Sequence, residues 1–105
     1  MLHLSSAVKD DTYALRASGD IDHTCNRKRL KENLKRGASY KKIYFDLSEV
    51  EFAGSVLLDT LSFFASIYKN KSNKLYLLNP PEHIIDLLTV THHIHIFNIL
   101  YEVNN

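Results

Sequence analysis

Ser55 is the residue whose type and position suggest the clearest chemistry in this sequence. It follows a β-rich segment and a turn, and it stands at the start of an apolar helical pattern. Amides in the first turn of a helix lack partners within the helix and carry partial positive charge, so a phosphate on Ser55 would be stabilised there. Serine is also a favoured helix cap, so the position is consistent with a structural role as well.

Histidines near the C-terminal end suggest a second kind of chemistry, metal binding. His93 and His95 could share one face of an extended segment, with His92 beside them and His83 or Glu82 as a further ligand. No cysteine or carboxylate nearby completes a typical zinc set, and the His-Glu-x-x-His pattern is absent. Metal binding is therefore a minor alternative, and we predict loop and strand-edge positions for these histidines.

Recognisable enzyme and nucleotide motifs are absent from the sequence. Ser55 does not stand in Gly-x-Ser-x-Gly, and the sequence contains neither a phosphate-binding Gly-x-x-x-x-Gly-Lys-Ser/Thr loop nor a Gly-x-Gly-x-x-Gly fingerprint. Cys25 has no redox partner and is predicted to be a packing residue. The residues alone therefore give no support to hydrolase, nucleotide-binding or redox chemistry.

Length and composition predict one globular domain. The chain has 105 residues, of which 45% are hydrophobic and 24% are charged. Its formal net charge of +1 predicts no general affinity for nucleic acid or for an anionic membrane, so any such affinity must be local. The single cysteine, the absence of a signal peptide and the absence of a membrane-spanning apolar run favour the cytoplasm.

Strand patterns occur in both halves of the chain. Leu2 to Val8 and Tyr13 to Ala17 alternate apolar with polar residues, which predicts an antiparallel hairpin. The near-continuous apolar run from Lys42 to Leu47 predicts a strand covered on both faces by helices, ending near Asp46. Lys74 to Leu78 has the same character.

Helical patterns separate these strands. They run from about Cys25 to Arg36, from Ser55 to Lys69 and from Ile84 to about Thr89. The first is predicted to start at a cap, Asp22 or Thr24, and to stop at a left-handed Gly37. A polar loop at 70–73, a short strand at 96–101 and a frayed tail at 102–105 complete the pattern. Alternating strands and helices predict an α/β fold with a mixed sheet of four to five strands.

The first helical pattern is strongly basic. Arginine and lysine occupy Arg27, Lys28, Arg29, Lys31, Lys35 and Arg36, against one acid, Glu32. A solvated helix face is the simplest interpretation, and an acidic protein partner is the next. DNA binding is least favoured, because no accompanying base-reading side chains are recognisable.

The order and spacing of these elements resemble the STAS domain, named for sulphate transporters and anti-sigma factor antagonists. Gly19-Asp-Ile-Asp22 resembles the family's Gly-Glu-Leu-Asp element, and residues 45–52 resemble the strand and loop that precede its phosphorylation site. Residues 77–80, and 87–91 with 96–97, occupy the places of further elements. The resemblance covers nearly the whole chain and implies a single STAS-like domain, 1–105, with a small mixed sheet flanked by helices.

Membership of this family implies a regulatory binding module rather than an enzyme, so we expect neither catalytic activity nor a cofactor. The unmodified protein captures an anti-sigma factor with serine kinase activity, phosphorylation by that kinase ends the capture, and a phosphatase restores it. The family's Asp-Ser-Ser/Thr-Gly pattern aligns with Gly54-Ser55-Val56-Leu57, so Ser55 is the implied phosphoacceptor. The expected docking surface consists of Asp20, Asp22, Glu49, Glu51, Gly54, Ser55 and Leu57.

The motif departs from the family pattern at two positions. Gly54 replaces a carboxylate beside the phosphoacceptor, and Leu57 replaces a glycine. An alternative consistent with both changes is a constitutive STAS scaffold in a signalling or transport complex, which would not be switched by phosphate.

Overall fold

The computed structural model describes residues 1–69 and 74–102 of the chain. Its elements, in chain order, are β1 (His3–Lys9), β2 (Thr12–Ile21), α1 (Arg27–Lys35), β3 (Lys42–Ala53), α2 (Ser55–Lys69), β4 (Lys74–Leu78), α3 (Glu82–Val90) and β5 (Asn98–Leu100). A 3-10 turn, Arg36–Ser39, follows α1. The loop predicted at 70–73 and the end of the predicted tail, 103–105, lie outside the described residues.

The five described strands form one mixed sheet in the order β1-β2-β3-β4-β5. β1 and β2 are antiparallel and form the predicted hairpin, with Lys9 opposite Thr12 and Asp10 in the turn at a φ of 54°. The pairs β2–β3, β3–β4 and β4–β5 are parallel. The predicted α/β fold with a small mixed sheet is confirmed.

One face of the sheet carries the hydrophobic core. On β3, Ile43, Phe45 and Leu47 are fully buried, whereas Tyr44 between them is half-buried. The chain passes from β2 to β5 in one direction across the sheet, and right-handed crossovers place the connecting helices on the same face. The helices contribute to the core Leu30, Leu34, Val56, Leu57, Leu61, Phe64, Tyr68, Ile84 and Leu88.

The opposite face is not covered by any helix in the described residues. Ala14, Tyr44 and Tyr76 lie on it, are half-buried and do not belong to the core cluster. We call the surface around these three residues the open face. The predicted cover on both sides of strand 42–47 is therefore wrong, because tyrosine makes a sequence look continuously apolar yet tolerates a half-exposed position.

The start of α1 differs from the prediction. The cap is Asn26, whose Oδ1 accepts a hydrogen bond from the Arg29 amide at 3.0 Å. Asp22 and Thr24 instead bond to each other, with the Thr24 amide donating to Asp22 Oδ1 at 2.9 Å. The predicted caps are wrong because this local turn uses the Asp22 carboxylate before the helix begins.

Gly37 has a packing role in place of the predicted left-handed stop. It lies inside the 3-10 turn, and among the described glycines only Gly19 has a positive φ. A Cβ at Gly37 would lie 2.7 Å from Ile43 Cγ1, which is far inside van der Waals contact. A glycine is needed there because the turn packs directly against β3.

β3 continues well past the predicted end near Asp46. Asp46 is buried, and its Oδ2 accepts a hydrogen bond from Arg16 Nε at 3.1 Å. Beyond this ion pair the register with β2 shifts twice, between Arg16 and Ser18 and again between Gly19 and Asp20. These bulges interrupt the alternation of side chains that marks a strand, so the strand predicted from the sequence is too short.

Gly19→Ala is expected to lower the free energy of unfolding by about 1–3 kcal/mol. Gly19 has a φ of +91°, and an added Cβ would collide with the Met1 carbonyl. Urea denaturation followed by circular dichroism measures the loss. Gly54→Ala is the matched control, because the nearest atom to its added Cβ is Phe52 Cε1 at 3.8 Å. Equal losses in both variants would contradict the assignment of strain to Gly19.

Candidate functional site

Ser55 is the first residue of α2, as the sequence predicted, and its side chain is exposed. The turn before it is held by the backbone, because the Gly54 amide donates to the Ile21 carbonyl at 3.1 Å. The Gly54 carbonyl in turn accepts from the Leu57 amide at 3.1 Å. The helix start that presents Ser55 is thus fixed to the end of β2.

The capping hypothesis for Ser55 gains no support from this geometry. Gly54, not Ser55, occupies the position before the first helical residue. Within the part of the chain that the structure describes, the Ser55 hydroxyl takes part in no hydrogen bond. An exposed hydroxyl without a structural bond at a helix N-terminus is available for modification.

Leu57 is placed in the core and not on the predicted docking surface. Its side chain is 0% exposed, as are those of Leu61 and Phe64. Together with Tyr68, these residues recur at the spacing of one helical face, i, i+4, i+7 and i+11, which could have identified Leu57 as a core residue. The expectation that Leu57 meets a partner directly is therefore a misassignment.

The predicted acidic residues lie at the carboxyl ends of β2 and β3, beside Ser55. Glu49 is the register partner of Ser18, and Asp20 is the register partner of Phe52. Glu49 and Glu51 are exposed, and Asp20 Oδ2 lies 3.5 Å from the N-terminal ammonium. The structure therefore brings these acids to the end of the sheet from which α2 begins.

Asp22 is fixed next to this group. Hydrogen bonds from the Thr24 hydroxyl and the Thr24 amide lower the pKa of the Asp22 carboxyl, so it is ionised at neutral pH. Because folding lowers this pKa, the hydrogen bonds to the Asp22 carboxylate stabilise the folded protein fully above the unfolded-state pKa. This stabilisation is lost as the pH falls through the folded-state pKa. At neutral pH the loop presents a negative charge near Gly54.

Phe52 is a surface feature that the sequence reasoning missed. It is 55% exposed, three residues before Ser55 and opposite Asp20. The bulge at Gly19/Asp20 explains the error, because it resets which side chains of β3 face the helices. The surface near Ser55 thus combines an apolar ring with carboxylates.

The histidines do not form a metal site within residues 1–69 and 74–102, where no group of three or more metal-ligating side chains occurs. His83 uses Nε2 to contact the Val50 carbonyl at 3.0 Å, and His92 lies in a turn at a φ of 61°. His93 is half-buried and His95 is exposed. The geometry gives the metal-binding alternative no support.

The basic helix packs as its apolar residues predict. Leu30 and Leu34 are fully buried, and the basic side chains lie on the solvent side, where Lys31 Nζ stands 5.3 Å from the centre of the Phe63 ring. Cys25 is half-buried beside this helix, and burial raises the pKa of its thiol, as expected for a packing residue. No helix among the described residues has both the length and the apolarity to cross a membrane.

Comparison with known proteins identifies the family to which this chain belongs. The model of the STAS domain family matches residues 3–105. The chain belongs to the STAS domain family, which confirms the resemblance seen in the sequence.

Solved structures share the fold at low sequence identity. A candidate anti-sigma factor antagonist from Thermotoga maritima is 21% identical, with a TM-score of 0.82 over 95% of this chain and 86% of that chain. An anti-sigma factor antagonist from Mycobacterium paratuberculosis is 21% identical, with a TM-score of 0.80 over 98% and 87%. The Bacillus cell fate determinant SpoIIAA in its phosphorylated form is 14% identical, with a TM-score of 0.62 over 99% and 93%.

Proposed function

We propose that this protein is a cytoplasmic partner-switching regulator of the anti-sigma factor antagonist type. In its unmodified form it binds an anti-sigma factor that is also a serine kinase, and phosphate on Ser55 ends that binding. The observation that carries the proposal is the exposed Ser55 hydroxyl on the first residue of α2, which makes no hydrogen bond to any described residue. It acts as a binding module and not as an enzyme.

The start of α2 stabilises a phosphate on Ser55, but the added charge opposes burial of this surface against a partner protein. The free amides of the first turn of α2 stabilise an anion at Ser55, and phosphorylation adds about −1.5 to −2 charge at neutral pH. That charge joins the carboxylates of Asp22 and Glu49 near the same end of the sheet. A partner adapted to the unmodified surface would then meet a larger and strongly hydrated negative charge.

The proposed docking surface has an apolar centre and an acidic border. Phe52 supplies the exposed ring, Ser55 and Gly54 the helix start, and the border consists of Asp20, Asp22, Glu49 and Glu51. Aromatic side chains often supply much of the binding energy at interfaces, while a charged border governs orientation and association rate. The partner surface should therefore be apolar opposite Phe52 and basic around it.

Phosphorylation of the purified protein tests the proposal. The protein is incubated with ATP and an anti-sigma factor that has serine kinase activity, and the phosphate is located by mass spectrometry. We expect a single phosphate on Ser55 and none in Ser55→Ala. A phosphate elsewhere, or none under conditions that modify a control substrate, would count against the switch.

Gly54→Asp separates the switch from the constitutive scaffold. This change restores the carboxylate that the family pattern has beside the phosphoacceptor. Phosphate on Ser55 in the native protein supports the switch. Phosphorylation of Gly54→Asp but not of the native protein would favour the scaffold, because the native protein would lack the carboxylate that phosphorylation requires. A partner complex that is unaffected by kinase and phosphatase treatment would also favour the scaffold.

A further inference from the structure

The open face is an unusual feature for a sheet of this kind. Strands β2 to β5 are parallel to one another, and parallel sheets are commonly covered on both faces. Here one face packs against the helices, while no described helix covers the other. Lys42 and Lys74 on this face are exposed and Tyr44 and Tyr76 are half-buried, whereas Asp46 and Leu78, farther along β3 and β4, are buried.

Two aromatic rings lie side by side on this face. Tyr44 on β3 and Tyr76 on β4 are register partners, with ring centres 5.5 Å apart and planes at 81°. Both residues are half-buried, so part of each remains accessible to solvent.

A row of lysines lies one step along the strands from these rings. Lys9 pairs with Thr12, Thr12 with Lys42, and Lys42 with Lys74, so the row crosses four neighbouring strands on the open face. All three lysines are exposed, and none forms a salt bridge within the described residues. Lysines directly opposite each other repel, so an anion bound between Lys42 and Lys74 would relieve this repulsion.

The carboxylate nearest the middle of the open face is already neutralised. Asp46 is bound by Arg16 Nε at 3.1 Å and is buried. Asp10 and Asp11 lie in the turn beside Lys9, and Asp11 is paired with Lys41 at 3.8 Å. Lys9, Lys42 and Lys74 therefore leave an excess of positive charge at this end of the strands, although the whole chain has a net charge of only +1. Whole-molecule charge predicts general affinity, whereas this charge is local and lies beside aromatic rings.

We propose that the open face binds single-stranded nucleic acid. Its bases stack on Tyr44 and Tyr76, and its phosphates pair with Lys9, Lys42 and Lys74. Aromatic rings on neighbouring strands beside a basic strip form a recurring platform for unpaired bases. An acidic peptide would satisfy the lysines but would make no comparable use of the rings.

Fluorescence anisotropy tests the role of the rings. The probe is a labelled ten-nucleotide RNA of mixed sequence at low salt, compared with the DNA of the same sequence and with the RNA duplex. We expect single strands to bind more tightly than the duplex. Tyr76→Leu should weaken binding about tenfold, and Tyr76→Phe should retain it, because phenylalanine stacks and leucine does not. Equal binding by the duplex, or equal effects of the two substitutions, would overturn stacking.

Charge reversal tests the position of the site. Lys42→Glu should reduce both the affinity and the salt dependence, whereas Lys35→Glu on the exposed side of α1 should leave both unchanged. Equal losses would assign binding to general electrostatics and overturn the proposal, as would absence of binding in native protein. Circular dichroism checks that each variant is folded. Light scattering detects a dimer, and burial of the open face between two copies of the chain would also overturn the proposal. These assays need no kinase, so their outcome is independent of Ser55.

Discussion

Ser55→Asp is expected to weaken binding of the partner captured by the unmodified protein by about 2 kcal/mol or more, roughly thirtyfold. The substitution places a permanent negative charge in the first turn of α2, beside the ring of Phe52. Binding would then require removal of water from this charge. Isothermal titration calorimetry with the identified anti-sigma factor measures the change.

The structure separates this effect from any effect on folding. The Ser55 side chain is exposed and makes no hydrogen bond within the described residues, so its replacement breaks no hydrogen bond among them. A negative charge at a helix start is itself favourable by about 0.3–1 kcal/mol. Ser55→Asp should therefore bind its partner less tightly while unfolding at the same or a higher urea concentration.

Ser55→Asn is the matched control for the charge. Asparagine has nearly the size of aspartate but is neutral, and Ser55→Ala removes the hydroxyl altogether. Both should retain most of the partner affinity. Equal affinity of the native, Asp, Asn and Ala proteins would reject the switch, and equal loss in Asp and Asn would assign the effect to side-chain size.

The sequence predicted those parts of the fold that have an uninterrupted pattern. The apolar helix at 55–69 and the strand at 74–78 have the predicted bounds because the polar residues 70–73 separate their apolar runs and Asn79-Pro80-Pro81 ends the second. β3 was cut short near Asp46 because two register shifts with β2 interrupt its alternation. Pairing irregularities depend on the neighbouring strand, which a local pattern does not contain.

The sequence predicted where the candidate site lies better than it predicted which side chains are exposed there. The placement of Ser55 followed from the helix start, and the acidic residues near it followed from the family resemblance. Phe52 was missed and Leu57 was misassigned, because the direction of each side chain depends on how β3 bulges and how α2 rests on the sheet. The apolar run 42–47 likewise predicted a buried Tyr44, but Tyr44 is half-buried because the described helices cover only the other face of the sheet.

Leu57→Ala is expected to lower the free energy of unfolding by about 2–5 kcal/mol. Leu57 is completely buried in the first turn of α2, where it belongs to the cluster formed by Leu61, Phe64 and the sheet. Truncation removes apolar contacts and leaves a cavity that a close-packed core fills only in part. Urea denaturation monitored by circular dichroism measures the change.

Leu58→Ala is the control for Leu57→Ala, because it removes the same atoms from the next residue of the same helix. Leu58 is only half-buried, so less of the volume that it vacates is enclosed and the expected loss is smaller. If Leu57 were instead a contact residue, Leu57→Ala would reduce partner affinity with little change in stability. We expect Leu57→Ala to lose much stability but to keep native partner affinity when affinity is measured under conditions in which native and variant proteins are folded. That result would identify Leu57 as a core residue that supports the helix bearing Ser55.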